Sequence, residues 1–326
     1  HLAAILGNSG PELEGEDVIL IPLSVNFALS RKNAARFSGV NREDKKIVAV
    51  GVGALGSQAF GSLFRTGFGE WSLIDDDRLL PHNLAKHQLT GRNVGRPKAD
   101  ALAETANETI DGAPIARAVV ADVLTPGQQR ETVEEVLASS DVVLDASASV
   151  AVARHLARDV DSPARRVSLF FNPSGTAGVM LCEDAGRESP LDWLEMLYYR
   201  ELLDEPSLHD HLRQPLGRVR YARSCRDLSA TLPQDLVSLH VAVGVRALRG
   251  ALGPRAARAR APRDRVTARE PARGGGDDRA RRAAPRGAAG AAHRDPARAH
   301  VSPRELDGHG DPRGHAGGRG ARRMIW

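Results

Sequence analysis

Cysteine is nearly absent from this chain, with only Cys182 and Cys225 among 326 residues. Two thiols cannot build a disulfide framework, and a structural zinc held by four cysteines is excluded. No apolar run is long enough to span a bilayer: the stretch from Val18 to Leu29 is interrupted by Pro22, Ser24 and Asn26. No secretory leader pattern is visible, so the expectation is a cytoplasmic protein with no membrane partner. The sequence opens on His1 rather than methionine, and it reads as a fragment of something longer.

Lysine is missing altogether from residues 251–326, which carry 18 arginines against eight acidic residues, a net charge of +10. The first 250 residues hold 27 basic and 33 acidic residues, net −6, so the overall +4 hides a mildly acidic body. That body offers no clear basic surface, and nucleic acid is not an expected partner. The tail is too poor in large apolar residues for a core, because Ala, Arg, Gly and Pro fill 55 of its 76 positions. The codon families of these four residues begin with two G or C bases, and a GC-rich gene read out of frame yields this mixture. Residues 250–326 are therefore read as a disordered or frameshifted tail, with the native sequence stopping near Arg249. The alternative is a basic arm for nucleic acid, but it lacks the interleaved aromatics that would stack on bases.

What is present is concentrated between Lys46 and Ala99. The apolar run Ile47 to Val50 predicts a buried parallel strand. Gly51, Gly53 and Gly56 follow in G-x-G-x-x-G spacing, and Ala54 to Phe64 predicts a helix. Glycines at such a turn let backbone N–H groups approach a phosphate at the positive end of the helix dipole. A second strand, Trp71 to Ile74, ends in Asp75, 19 residues after Gly56, where an acid can hold a ribose hydroxyl. Three successive carboxylates, Asp75 to Asp77, alternate in direction if the strand continues through them, so at most two would point into one site.

The glycines and Asp75 alone permit an NAD-dependent oxidoreductase. The segment after Asp75 narrows the choice. Asp75-Asp76-Asp77, Asn83-Leu84-Ala85-Lys86-His87 and Gly95-Arg96-Pro97-Lys98 follow in the order of the D-x-D, N-L-x-R-Q and G-x-P-K segments of one family. In these residues the chain resembles the ThiF/MoeB/HesA family, the bacterial relatives of ubiquitin-activating enzymes, over about residues 46–249. Lys86 and His87 stand where that family has Arg and Gln, and a lysine cannot reproduce the bidentate fork of an arginine on phosphate.

The resemblance implies ATP-dependent adenylation of the C-terminal carboxylate of a small ubiquitin-like or sulfur-carrier protein ending in Gly-Gly. It implies that Gly51, Gly53 and Gly56 cradle the phosphates and Asp75, with Asp77 in support, takes the ribose. Asn83, Lys86 and Lys98 would line the triphosphate, and Asp145 would hold Mg²⁺ near the α-phosphate. For Asp145 the structural alternative is a helix N-cap; for Asp77 it is a turn residue. His87 is open between a phosphate contact and a structural hydrogen bond. Cys225, between Arg223 and Arg226 and upstream of a helix, is a candidate nucleophile for a thioester, or a surface thiol. Cys182 lies in an apolar run and is read as buried. His209 and His211 have no third metal ligand near them and are read as part of a solvated loop. The resemblance further implies a homodimer, in which an N-terminal arginine reaches the partner's ATP site. Arg31 or Arg36 could do this, but a solvated helix face is preferred for both. Rival readings are the NAD enzyme, a non-catalytic scaffold and a tRNA-modifying dehydratase.

The fold expected is α/β, a Rossmann-like doubly wound, mostly parallel sheet with an antiparallel C-terminal extension. Residues 1–44 are an N-terminal segment, read as the end of an upstream domain, with a strand at Val18 to Phe27 and a helix at Ala28 to Phe37. Residues 45–249 form the ATP-binding domain. Further helices are predicted at Lys98 to Ile110, Pro126 to Ala138, Val150 to Val160, Leu191 to Leu203 and Leu232 to Leu248. Further strands are predicted at Ile115 to Val120, Val142 to Asp145 and Arg166 to Phe171, with an antiparallel edge at Thr176 to Glu183.

Overall fold

A computed structural model describes residues 25–213, 219–220, 228–229, 232–253, 304–305 and 322–326. Strands β1 (Glu43–Val50), β2 (Phe68–Ile74), β3 (Ala116–Val119), β4 (Val142–Asp145), β5 (Arg165–Phe171) and β6 (Gly178–Cys182) carry the fold. Two-residue strands β7 (Val219–Arg220) and β8 (Leu228–Ser229) pair separately, while β9 (Arg304–Glu305) and β10 (Arg322–Ile325) extend the main sheet. Among the described residues seven α-helices complete it: α1 (Arg31–Phe37), α2 (Ala54–Phe64), α3 (Lys98–Thr109), α4 (Arg130–Ala138), α5 (Val150–Arg158), α6 (Leu191–Asp204) and α7 (Gln234–Leu252).

The main sheet runs β3-β2-β1-β4-β5-β6-β10-β9. The first five strands are mutually parallel and the remainder antiparallel, the expected doubly wound sheet with its antiparallel extension. The β1 sequence shows why helices must cover both faces. Ile47 and Ala49 enter the core that includes Phe60, Leu63, Leu102 and Val241, from α2, α3 and α7. Val48 and Val50 enter the opposite core with Val133, Val136, Val152 and Leu156, from α4 and α5. A strand buried on both sides has no polar alternation, as its apolar run foretold.

Register sets the functional edge. Val50 is paired with Ile74 on one side and Asp145 on the other; Ile74 is paired with Val119 and Asp145 with Ser168. The carboxyl ends of β1 to β4 therefore finish level, β5 runs on past Ser168 to Phe171, and the loops after them form one rim.

Several boundaries differ from the sequence reading. Helix α4 begins at Arg130 because Gly127–Gln129 forms a 3-10 turn after Pro126. Residues 25–27 are not in a strand, and Phe27 is 97% exposed; the rest of that predicted strand lies outside the described residues. Strand β6 is not an edge, since β10 pairs with it. Composition gives the tail no core of its own, but its one apolar run, Met324-Ile325-Trp326, packs on the sheet and Ile325 is buried. A Cβ on Gly178 would strike the Trp326 indole, so a side chain is excluded there. Cys182 is buried, as read. Among the described residues no helix is long and apolar enough to cross a membrane.

Arg31 departs from its solvated reading. Its guanidinium pairs with Asp44 at 3.0 Å and Glu70 at 2.8 Å and donates to the Glu43 carbonyl, leaving its side chain 12% exposed. The arginine thus fastens α1 to β1 and β2.

Arg166, the largest fully buried side chain among the described residues, gathers the exit of α5. It donates to the carbonyls of Leu156, Val160, Ser162 and Ala164 at 2.7 to 3.0 Å. Glu183, also buried, accepts from the Arg166 backbone N–H, from Leu191 N–H and from Arg187 Nε. Removing one charge from such a network strands its partners. We expect Arg166→Met to lower the unfolding free energy by about 3–5 kcal/mol in urea titration; a loss under about 1 kcal/mol would show that water replaces the guanidinium.

Candidate nucleotide site

The level strand ends enclose a cavity of about 700 Å³. The glycine loop lines it, and Gly51 and Gly56 are required for different reasons. Gly51 sits at φ +81°, and a Cβ there would lie 2.7 Å from the Ser147 Cα. At Gly56 a Cβ would strike the Gly51 carbonyl oxygen, so the helix could not close on the strand. Gly53, the N-cap of α2, would meet nothing within 4 Å. No side chain caps that helix, and Gly53, Ala54 and Leu55 line the cavity. The first-turn amides of α2 are thus left for an anion.

Asp75 braces this loop. Its Oδ2 accepts from Val52 N–H at 2.7 Å and its Oδ1 from Asp77 N–H at 2.9 Å. Each oxygen keeps a second lone pair, enough for a ribose hydroxyl. Burial raises the carboxyl above its ordinary range, opposed by Lys98 and the two amides. The three carboxylates Asp75, Asp76 and Asp77 offer oxygens within 4.8 Å of one another, contrary to the alternation expected of a strand. The reason is that β2 ends at Ile74 and the Asp75–Asp77 hydrogen bond turns the chain.

Lys98 opens α3 and is engaged within the protein. Its Nζ lies 2.8 Å from Asp77 Oδ2, and its backbone N–H donates to the Asp77 carbonyl at 2.9 Å. Asp77 is therefore a lysine partner as well as a turn residue. Asn83 Oδ1 accepts from Leu80 N–H, and its carbonyl accepts from the Lys86 and His87 amides. Lys86 lines the cavity, and burial pushes its ammonium down from the ordinary lysine range. His87 takes the structural role: Nε2–H donates to the Val52 carbonyl at 2.8 Å, and Nδ1 accepts from Leu89 N–H.

Asp145 is 2% exposed and does not line this cavity; it lines a smaller one beside it. Its Oδ1 accepts from Ser147 N–H and Ser147 Oγ, and its Oδ2 from Ser168 Oγ. Burial raises its carboxyl. The two cavities share Ala148, Ser149, Phe170 and Phe171, so Asp145 lies next to the nucleotide cavity without lining it. The N-cap alternative for Asp145 fails, because Ser149 caps α5 by accepting from Val152 N–H. Cys225 lies outside the described residues.

Sequence reasoning missed Gln58. Its Nε2 donates to the Lys86 carbonyl at 2.7 Å and to Gln234, and its Oε1 accepts from Ser238, tying the loop to α7. Only contact across 176 residues of chain reveals it. Ser147, two residues after Asp145, carried a local turn signal. Phe170 and Phe171 line the cavity from β5.

Residues 39–161 match the model of the ThiF family. The chain carries a ThiF-family domain. It is 30% identical over 165 residues to the ATP-dependent ubiquitin transferase-like protein Cap2 of Vibrio cholerae, covering 48% of this chain and 27% of that protein. It is 34% identical over 119 residues to the SAMP-activating enzyme E1 of Haloferax volcanii, covering 35% and 40% respectively. The chain thus spans well under half the length of these curated relatives. Among solved structures it resembles Escherichia coli MccB with ATP at 15% identity and a TM-score of 0.43, over 63% of this chain and 55% of that one.

Burial holds the ThiF-domain His87 at about 4, below the ordinary 6.5. Below pH 6.5 the unfolded chain takes up a proton that the folded chain refuses, so stability falls with pH until about 4. Between pH 7 and 5 this histidine should cost about 2 kcal/mol. His87→Gln keeps a donor to Val52 and should flatten that portion of the urea-derived pH profile. An unchanged slope would place the titration elsewhere.

Proposed function

We propose that the ThiF domain is an enzyme that adenylates the C-terminal carboxylate of a ubiquitin-like or sulfur-carrier protein with ATP. Gly51 and Gly53 of the glycine loop, Asp75 and Lys86 line one cavity at the strand ends, which supports this reading. An NAD enzyme would have no use for a lysine there, and the family match agrees with an activating enzyme.

The sheet order gives the substrate its direction. Residues 121–124, after β3, and Asp75, after β2, frame the base and ribose end. Amides at the start of α2, after β1, face the phosphates. The carboxylate then enters over β4 and β5. One of its oxygens attacks the α-phosphorus, the bond to the bridging oxygen of the β-phosphate breaks, and pyrophosphate leaves with that electron pair. This chain supplies position and charge: backbone N–H groups and Lys86 stabilise the phosphate oxygens as charge develops. Lys98 acts through Asp77, holding the loop that presents Asp75. Asp145 would hold Mg²⁺, which would supply positive charge beside the α-phosphate. Transfer of the acyl group to the Cys225 thiolate, releasing AMP, is a second stage supported by Arg223 and Arg226 in the sequence alone. The homodimer rests on the family resemblance.

Pyrophosphate exchange into ATP tests the first stage. Lys86→Ala should reduce exchange by about 10²-fold, Lys86→Arg should retain most of it, and Cys225→Ser should leave it intact while abolishing a thiol-sensitive conjugate. Full exchange in Lys86→Ala would remove Lys86 from the reaction, and NADH binding without any exchange would overturn the reading.

A further inference from the structure

Beside the nucleotide cavity lies a second cavity of about 100 Å³. The two share Ala148, Ser149, Phe170 and Phe171 as walls. Its remaining surface is largely apolar, from Val150 and Ala153 of α5, Leu181 of β6 and Leu191 of α6. Ala148 stands at φ 55°, a left-handed conformation unfavourable for alanine, and keeps only a methyl group on the shared wall. Two of the three acids that line the second cavity are paired with arginines: Asp192 accepts from Arg158 at 3.0 Å and Glu195 from Arg154 at 3.2 Å. Asp145, the third, is hydrogen-bonded to Ser147 and Ser168.

Position gives this cavity a role. In the order β3-β2-β1-β4-β5, it lies at β4 and β5, beyond the phosphate loop as seen from Asp75. That is the side from which the attacking carboxylate comes. We propose that the cavity binds the aliphatic side chain of the substrate's C-terminal residue, of leucine or valine size, which rests on the adenylation reading. An apolar cavity of about 150 Å³ takes up a benzene-sized group, so about 100 Å³ suits a branched chain of three or four carbons. A diglycine end would leave it empty. The acceptable partner is thus a carrier or peptide acid with an aliphatic terminus.

The test titrates 4-methylpentanoate and acetate into the full chain by calorimetry, with and without ATP. The longer acid carries the leucine-like chain and acetate carries the same carboxylate without it. We expect tighter binding of 4-methylpentanoate by at least about tenfold, the worth of a filled apolar pocket. Ala153→Leu fills the cavity and should erase that ratio; Val150→Phe blocks it from the other end of the same turn, should Ala153→Leu fail to fold. Equal binding of the two acids, or a ratio unchanged in the folded variants, overturns the proposal. A second arm measures pyrophosphate exchange with peptide acids ending in Leu or Gly. Leu should exceed Gly by at least about tenfold in wild type and lose that lead in Ala153→Leu; a preference for Gly in wild type overturns the proposal. Exchange with no peptide, alongside intact selection of 4-methylpentanoate, would sink the adenylation reading and leave the pocket standing.

Discussion

Two loops leave the sheet side by side because Val50 and Asp145 are register partners, and no side chain fits between them at Gly51. Much of the site follows from this close approach. It forces the left-handed turn at Gly51, which swings the chain so that Gly53 can cap α2. It presses Gly56 onto the Gly51 carbonyl, which fixes the angle at which α2 leaves the strand. On the other side, Asp145 folds the second loop back through Ser147, and that fold stands as the wall between the two cavities. Parallel pairing is what makes such a junction available, since consecutive strand ends emerge on one edge.

Several polar groups at the site are engaged before any ligand arrives. Lys98 is paired with Asp77, Asp145 accepts from two serine hydroxyls and an amide, and His87 sits between Val52 and Leu89. A polyanion then meets backbone dipoles and Lys86. Burial weakens the hold of Lys86 on its proton, and an incoming phosphate would restore it, because an opposite charge favours the charged form. Binding and electrostatic relief are thereby coupled at one residue. Reliance on preformed amide dipoles also limits the reorganisation needed when negative charge develops.

The glycine loop, the succession of strands and helices along the chain and the acid after β2 are legible because each depends on a few adjacent residues. A buried parallel strand must be continuously apolar, and a turn packed against a neighbouring loop must lack Cβ. For Asp145 the sequence locates a carboxylate at a strand end but not its hydrogen-bond partners, and Ser168 on the neighbouring strand is one of them. Asp75 to Asp77 gathered because the strand stopped one residue earlier than alternation required. Gln58 was silent since its partners belong to a loop and a helix far along the chain.

The tail shows the same limit from the other side. Composition averages over 76 residues and hides three apolar ones at Met324, Ile325 and Trp326. All five residues of β6 are buried, so its outer hydrogen-bonding edge needs a covering strand. Gly178 leaves room for an indole, and the Trp326 backbone exchanges hydrogen bonds with Gly178 at 2.9 and 3.1 Å. The demand for a strand there comes from the core and is local, so a short apolar run suffices to meet it. Because β6 pairs along β5, whose far end supplies Phe170 and Phe171 to both cavities, covering that edge also steadies the walls where the substrate would bind.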